Sequence, residues 1–197
     1  MAKVFNVTAV CLPDEHYMVD LSSRLEEMKG YVDAGKYFMV NRARQYGKTT
    51  TLMALEQYLQ KEYDVIFIDF QMFGNDEFAS ENRFALSFAE TFVQLLKETD
   101  AAKNKNLQEV AGRMQAFADA GNTGYRLKRL FEDLSSICAY ADKPIVLMID
   151  EVDSAASHQV FIDFLAQIRA YYMKRAKRRI FQSVILAGVY DVKNLKQ

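Results

Sequence analysis

The chain is poor in the residues that break or cross-link a backbone: across 197 residues there are 8 glycines, 2 prolines, 2 cysteines and 2 histidines. With so little glycine and proline beside 50% hydrophobic and 26% charged residues, a disordered chain is excluded and one substantial core is expected. No internal repeat or low-complexity linker interrupts it. Cys11 and Cys138 are too far apart for a C-x-x-C pair, which leaves out a thiolate zinc site and a disulfide framework and fits a reducing compartment. His16 and His158 stand alone, without metal-ligand spacing, and read as surface or capping residues. The longest apolar runs, such as Ile145 to Ile149, fall far short of the roughly 20 residues that span a bilayer, and no signal-peptide core is visible. These features predict a soluble, cytoplasmic protein without membrane contact. A formal net charge of -1 gives no global attraction to nucleic acid or anionic lipid, so any such contact needs a local patch.

What the chain does have is an alternation of two kinds of apolar stretch. Short continuous runs cover 37–41, 64–70, 145–150 and 181–189. Between them the apolar residues fall at helical spacing: 48–60 with Leu52, Leu55 and Leu59; 81–97 with Phe84, Phe88 and Phe92; a weaker stretch at 107–118; a run with Leu127, Leu130, Phe131, Leu134 and Ile137; and 160–172 with Val160, Phe161, Phe164 and Ile168. Continuous runs are what strands buried on both faces carry. The expectation is therefore an α/β protein, a three-layer α/β/α sandwich with a mainly parallel sheet, folded as a single domain over 1–197. Residues 1–35 form a lead-in to it and 36–191 its core.

The first strand leads through Arg42, Ala43, Arg44, Gln45 and Tyr46 into Gly47-Lys48-Thr49-Thr50, where a helical pattern begins. A strand, a loop ending Gly-Lys-Thr and a helix together hold a nucleotide phosphate: backbone N–H groups and the positive helix end face the anion, and a lysine reaches the β- and γ-phosphates. The candidate phosphate-binding residues are Arg44, Gln45, Tyr46, Gly47, Lys48, Thr49 and Thr50, with the Thr49 hydroxyl placed for Mg²⁺. The full pattern asks for a glycine at position 42, where Arg42 stands. An ordinary strand-to-helix turn with a surface lysine is the plain alternative.

The run Ile145-Val146-Leu147-Met148-Ile149 then ends in Asp150-Glu151-Val152-Asp153. This places two carboxylates at the C-terminal end of a buried parallel strand, beside the phosphate loop of a neighbouring strand. Asp150 suits a hard cation held through its water shell. Glu151 suits the polarisation of a water for in-line attack on a γ-phosphate. Either motif alone is weak, but the two constrain each other. Asp153 reads as a helix N-cap. The cations Lys174, Arg175, Lys177, Arg178 and Arg179 read as a solvated helix C-terminus, as an arginine finger for a neighbouring subunit, or as a nucleic-acid contact.

On the loop Arg42-Ala43-Arg44-Gln45-Tyr46-Gly47-Lys48-Thr49 and the acidic motif Ile149-Asp150-Glu151-Val152-Asp153, the chain resembles the additional-strand, catalytic-glutamate division of P-loop NTPases. More narrowly it resembles the bacterial and archaeal predicted AAA-type ATPase-like proteins, over residues 15–191. The resemblance implies a fold of P-loop NTPase type, ATP and Mg²⁺ as cofactors, and a Mg-dependent ATPase whose slow hydrolysis is coupled to a downstream effector. By the same resemblance, Ser183 to Asp191 look like the strand that brings a sensor residue to the γ-phosphate, with Tyr190 and Asp191 as polar candidates. Residues 17–31 look like a helix lining the base pocket. Similar proteins continue into a fifth core strand, a helical lid and often an effector region. The chain is thus expected to be truncated before the lid, with an effector beyond Gln197 or on a partner protein, and homo-oligomerisation stays open. Two further readings stand: a nucleotide-gated interaction switch with little turnover, and a nucleic-acid-handling motor resting on the basic run.

Overall fold

The computed structural model describes residues 21–41 and 47–189. In chain order its elements are α1 (Ser22–Asp33), β1 (Phe38–Asn41), α2 (Lys48–Leu59), β2 (Asp64–Asp69), α3 (Glu81–Leu96), α4 (Lys105–Asp119), α5 (Leu127–Tyr140), β3 (Ile145–Asp150), α6 (Val152–Ala155), α7 (Gln159–Met173) and β4 (Ser183–Gly188). Local chemistry sets several of these limits. Ser80 Oγ accepts from Arg83 N to start α3, and Asn104 Oδ1 accepts from Asn106 N and Leu107 N to start α4. The strand expected over 64–70 stops one residue early, because the Asp69 carboxylate accepts from Gln71 N and opens a 3-10 turn over Phe70–Met72.

Among the described residues the four strands form one parallel sheet in the order β1-β4-β3-β2. The carboxylate-bearing strand β3 is therefore not the direct neighbour of β1. β4 lies between them, with Met39 opposite Leu186 and Ile149 opposite that same Leu186.

Side chains alternate across this sheet, and each face has its own core. Val65, Val146, Met148, Ile185 and Ala187 meet Met28 and Val32 of α1 and Leu52, Leu55 and Leu59 of α2. Ile66, Ile68, Ile145, Leu147, Ile149 and Val184 meet α3, α5 and α7, with α4 behind them. Helices thus cover both faces, which is the layered α/β arrangement the continuous apolar runs predict. The larger core is aromatic: the Phe164 ring lies 5.2 Å from Phe84, 4.9 Å from Phe88 and 5.4 Å from Phe131.

Because all four strands run the same way, their C-terminal ends share one edge. Asn41 stands opposite Gly188 there, and Asp69 opposite Asp150. Ligands of open α/β sheets bind outside this edge. Among the described residues no helix is long and apolar enough to cross a membrane.

Candidate functional site

Gly47 begins the site with a backbone that glycine adopts easily, φ 69 and ψ 28. It occupies the N-cap of α2 without a side-chain cap, so no N-cap side chain takes up the first N–H groups of this helix. Thr51 Oγ1 donates back to Gly47 O at 2.7 Å and closes the turn. The next residue, Lys48, is only 8% exposed, and its ammonium lies between two carboxylates: 2.7 Å from Glu151 Oε1 and 3.0 Å from Asp150 Oδ1. Burial by itself pulls the lysine pKa down. The hydrogen bonds to Glu151 and Asp150 outweigh it and hold the ammonium above the ordinary lysine value. Thr49 Oγ1 donates to Asp150 Oδ2 at 2.9 Å, so the two ends of the 2% exposed Asp150 carboxylate serve neighbouring residues of α2.

Glu151 is built differently. It is the one non-glycine residue with positive φ among those described, at φ 54 and ψ 39. For a residue with a Cβ this costs about 1–2 kcal/mol, and such strain concentrates at functional sites. The turn is tied at several points. Glu151 N donates to Asp150 Oδ1 at 2.8 Å, and Glu151 O accepts from Ser154 Oγ at 2.8 Å and from Ser154 N at 3.1 Å. Asp153 is not the N-cap expected of it. The left-handed turn starts α6 earlier, with Glu151 at the N-cap, and the Asp153 carboxylate accepts instead from Val189 N at the end of β4.

The fold thus brings Gly47, Lys48, Thr49, Asp150 and Glu151 into one cluster, with Thr50 in the first turn of α2. Arg42, Arg44, Gln45, Tyr46, Tyr190, Asp191, Cys11 and His16 lie outside the described residues. His158 sits at the N-cap of α7 without a capping bond and stacks on Phe78, ring centroids 4.7 Å apart. The cations from Lys174 to Arg179 are exposed in the turns after α7. Gln182 N donates to Ile145 O at 2.8 Å, which puts this segment at the N-terminal ends of the strands, away from Lys48. Sequence reasoning did not find Ser154 or the Val189 amide. Ser154 carries no local signal, whereas a glycine at a strand end, Gly188, is a legible sign of close approach.

A family model described as an AAA-like domain matches residues 15–194, a span that contains every member of the Lys48 cluster. The chain belongs to the AAA-like domain family. Membership of this AAA-like family points to nucleotide binding of the ATPase kind. No curated protein matches the chain.

Proposed function

We propose that this AAA-like domain is the ATP-binding domain of a Mg-dependent P-loop ATPase that turns over slowly and drives an effector. One observation carries the reading: a buried lysine at the uncapped start of α2 holds both carboxylates that end β3, Lys48 Nζ being 3.0 Å from Asp150 and 2.7 Å from Glu151. A lysine, uncapped helix amides and a carboxylate pair are the parts that phosphoryl transfer uses.

In this reading Lys48 exchanges its carboxylate partners for the β- and γ-phosphate oxygens, and the α2 amides hold the same anion. Thr49 and Asp150 would hold Mg²⁺, Asp150 through the water shell of the ion. They fit it, because Thr49 Oγ1 and Asp150 Oδ2, 2.9 Å apart, are a hydroxyl and a carboxylate oxygen, the donors a hard cation prefers. Among the described residues no group of three or more His, Cys, Asp or Glu side chains could hold a metal, so most ligands would come from phosphate and water, as Mg²⁺ prefers. When bound, the ion neutralises charge on the phosphate oxygens. Glu151, released by Lys48, takes the proton of the water whose oxygen bonds to the γ-phosphorus as the bond to the β-phosphate oxygen breaks.

The Lys48–Glu151 pair must open before either residue can act, so nucleotide arrival and release of the base are coupled. This coupling favours a second reading as well, a nucleotide-gated switch with little hydrolysis, because ligand arrival breaks the pair in both cases.

Titrating the intact chain with MgATP tests the proposal. Lys48→Ala should weaken binding by about 2–3 kcal/mol, roughly 30- to 150-fold, through loss of a charged hydrogen-bond donor; unchanged affinity would sink the phosphate site. Glu151→Gln should keep affinity and lower phosphate release at least ~100-fold. Tight binding with no release from the parent chain would select the switch.

A further inference from the structure

We infer that Asp153 is a positioning residue, whose carboxylate fastens the turn carrying Glu151 to the end of β4 and thereby sets where Glu151 stands. The inference rests on Glu151 acting on the attacking water, as proposed above.

Glu151 occupies a left-handed backbone conformation that its own sequence does not favour, so the surrounding structure must hold it there. Most of its ties are internal to the turn. Ser154 Oγ and Ser154 N belong to the same short turn and would move with it, and Asp150 Oδ1 holds only its beginning, at the end of β3. Lys48 and Thr49 also bond Glu151 and Asp150, but in this reading they turn to the nucleotide and the ion; among the described residues two other hydrogen bonds tie the turn to neighbouring elements. One is the long contact of 3.3 Å from Ser154 Oγ to Phe70 O. The other is the hydrogen bond from Val189 N to Asp153 Oδ2, an ionised acceptor and thus the stronger tie.

Gly188 shows how closely this tie is built. A methyl group placed there would stand 2.9 Å from Asp153 Oδ2, 3.0 Å from Asp153 Oδ1 and 3.0 Å from Val152 Cγ2. Gly188 does not have the positive φ seen at Gly35, Gly47 and Gly121. Space for the Asp153 carboxylate, not backbone freedom, is therefore what glycine supplies at this position. Gly188 also pairs in register with Asn41, the last residue of β1 before the loop to Gly47. Through Asp153, the turn that carries Glu151 is thus attached to the strand beside the one that feeds the phosphate site. For a general base the placement matters steeply, since a misplacement of about 1 Å costs on the order of 100-fold in rate.

The test uses the intact chain and measures MgATP affinity, phosphate release and amide hydrogen exchange together. Asp153→Ala should lower kcat by about 100-fold, leave affinity within about twofold of the parent, and speed exchange of the Val189 amide. Asp153→Asn keeps an acceptor oxygen and should recover most of kcat. Gly188→Ala should reproduce the kcat loss from the other side of the contact, which keeps the inference testable if Asp153→Ala folds poorly. On a Glu151→Gln background Asp153→Ala should add no further loss, because it acts through Glu151. Parent kcat in Asp153→Ala or Gly188→Ala overturns the inference alone. So does a parallel loss of affinity and kcat, which marks a general structural role. A parent chain that binds MgATP but releases no phosphate overturns it together with the hydrolytic reading, and one that does not bind MgATP overturns the phosphate site as well.

Discussion

Glu151 carries two demands at once, a carboxylate beside Lys48 and a backbone that favours glycine. They can be separated by comparing two variants that both lack the carboxylate. Glu151→Gly should be more stable than Glu151→Ala by about 1–2 kcal/mol in urea unfolding, because only alanine keeps the left-handed strain. Equal stability would mean that the turn relaxes once the side chain is gone. Asp64 carries a different tension. It is 4% exposed at the start of β2, and its Oδ2 has no hydrogen-bond partner among the described residues. Burial pushes its carboxyl above the ordinary aspartate value, against the opposing pull of Lys143. A pKa raised on folding means that the folded state binds the proton more tightly, so this group's contribution to stability falls as pH rises from the unfolded value, about 3.9, through the folded one. Asp64→Asn should remove that loss. At pH 7 it should add about 1 kcal/mol and raise Tm by about 2–4 °C, with a smaller gain at pH 4, as followed by thermal melts. Of these residue-scale features the sequence reveals Lys48, Asp150 and Glu151 by type and spacing. It does not reveal the strain at Glu151, since no residue type announces a positive φ except glycine.

At the scale of elements, the helices were legible because burial at a helical period leaves its mark directly on residue type. Phe84, Phe88 and Phe92 recur along α3, and Val160, Phe161, Phe164 and Ile168 along α7, and all are buried. β3 matches the expected 145–150 to the residue. The expected strand over 181–189 is trimmed at both ends to Ser183–Gly188. α6 and the 3-10 turn after β2 were not legible. They are too short to show a period, and side-chain bonds such as Asp69 to Gln71 N define them. The packing of α7 predicts its sensitivity. Phe164→Ala should cost about 3–5 kcal/mol, because the ring contacts Phe84, Phe88, Phe131 and Phe161 from α3, α5 and α7 and the cavity cannot collapse. Met173→Ala, at the exposed end of the same helix with Met173 74% exposed, should change stability by less than about 0.5 kcal/mol. Comparable losses from both would mean that α7 is held by its end and not by its aromatic face.

At the scale of the whole molecule, parallel strands gather the Lys48 cluster on one edge and place the basic segment after α7 at the other. Strands of six residues separate these ends by about 20 Å. A nucleic-acid contact there would be remote from Lys48 in the same chain. Ligand binding should be felt globally: MgATP at about 100 times its Kd should stabilise the folded state by about 2.7 kcal/mol, and Lys48→Ala should cut the gain to less than about 1 kcal/mol at the same nucleotide concentration. The full gain retained in that variant would place the nucleotide elsewhere. The chain's membership of the AAA-like family spans this entire scale, from residue 15 to residue 194.

Residue types and their spacing were enough to establish the α/β class, the side chains of the Lys48 cluster and the order in which they occur. Those properties follow from burial and from chemistry that each side chain carries wherever it sits. Folding in three dimensions was needed to show that β4 stands between β1 and β3, that Lys48 bridges Asp150 and Glu151, and that Asp153 faces Val189 and does not cap its own helix. These are contacts between residues distant in the chain. They depend on sheet order and on one left-handed turn, and neither leaves a periodic trace in the sequence.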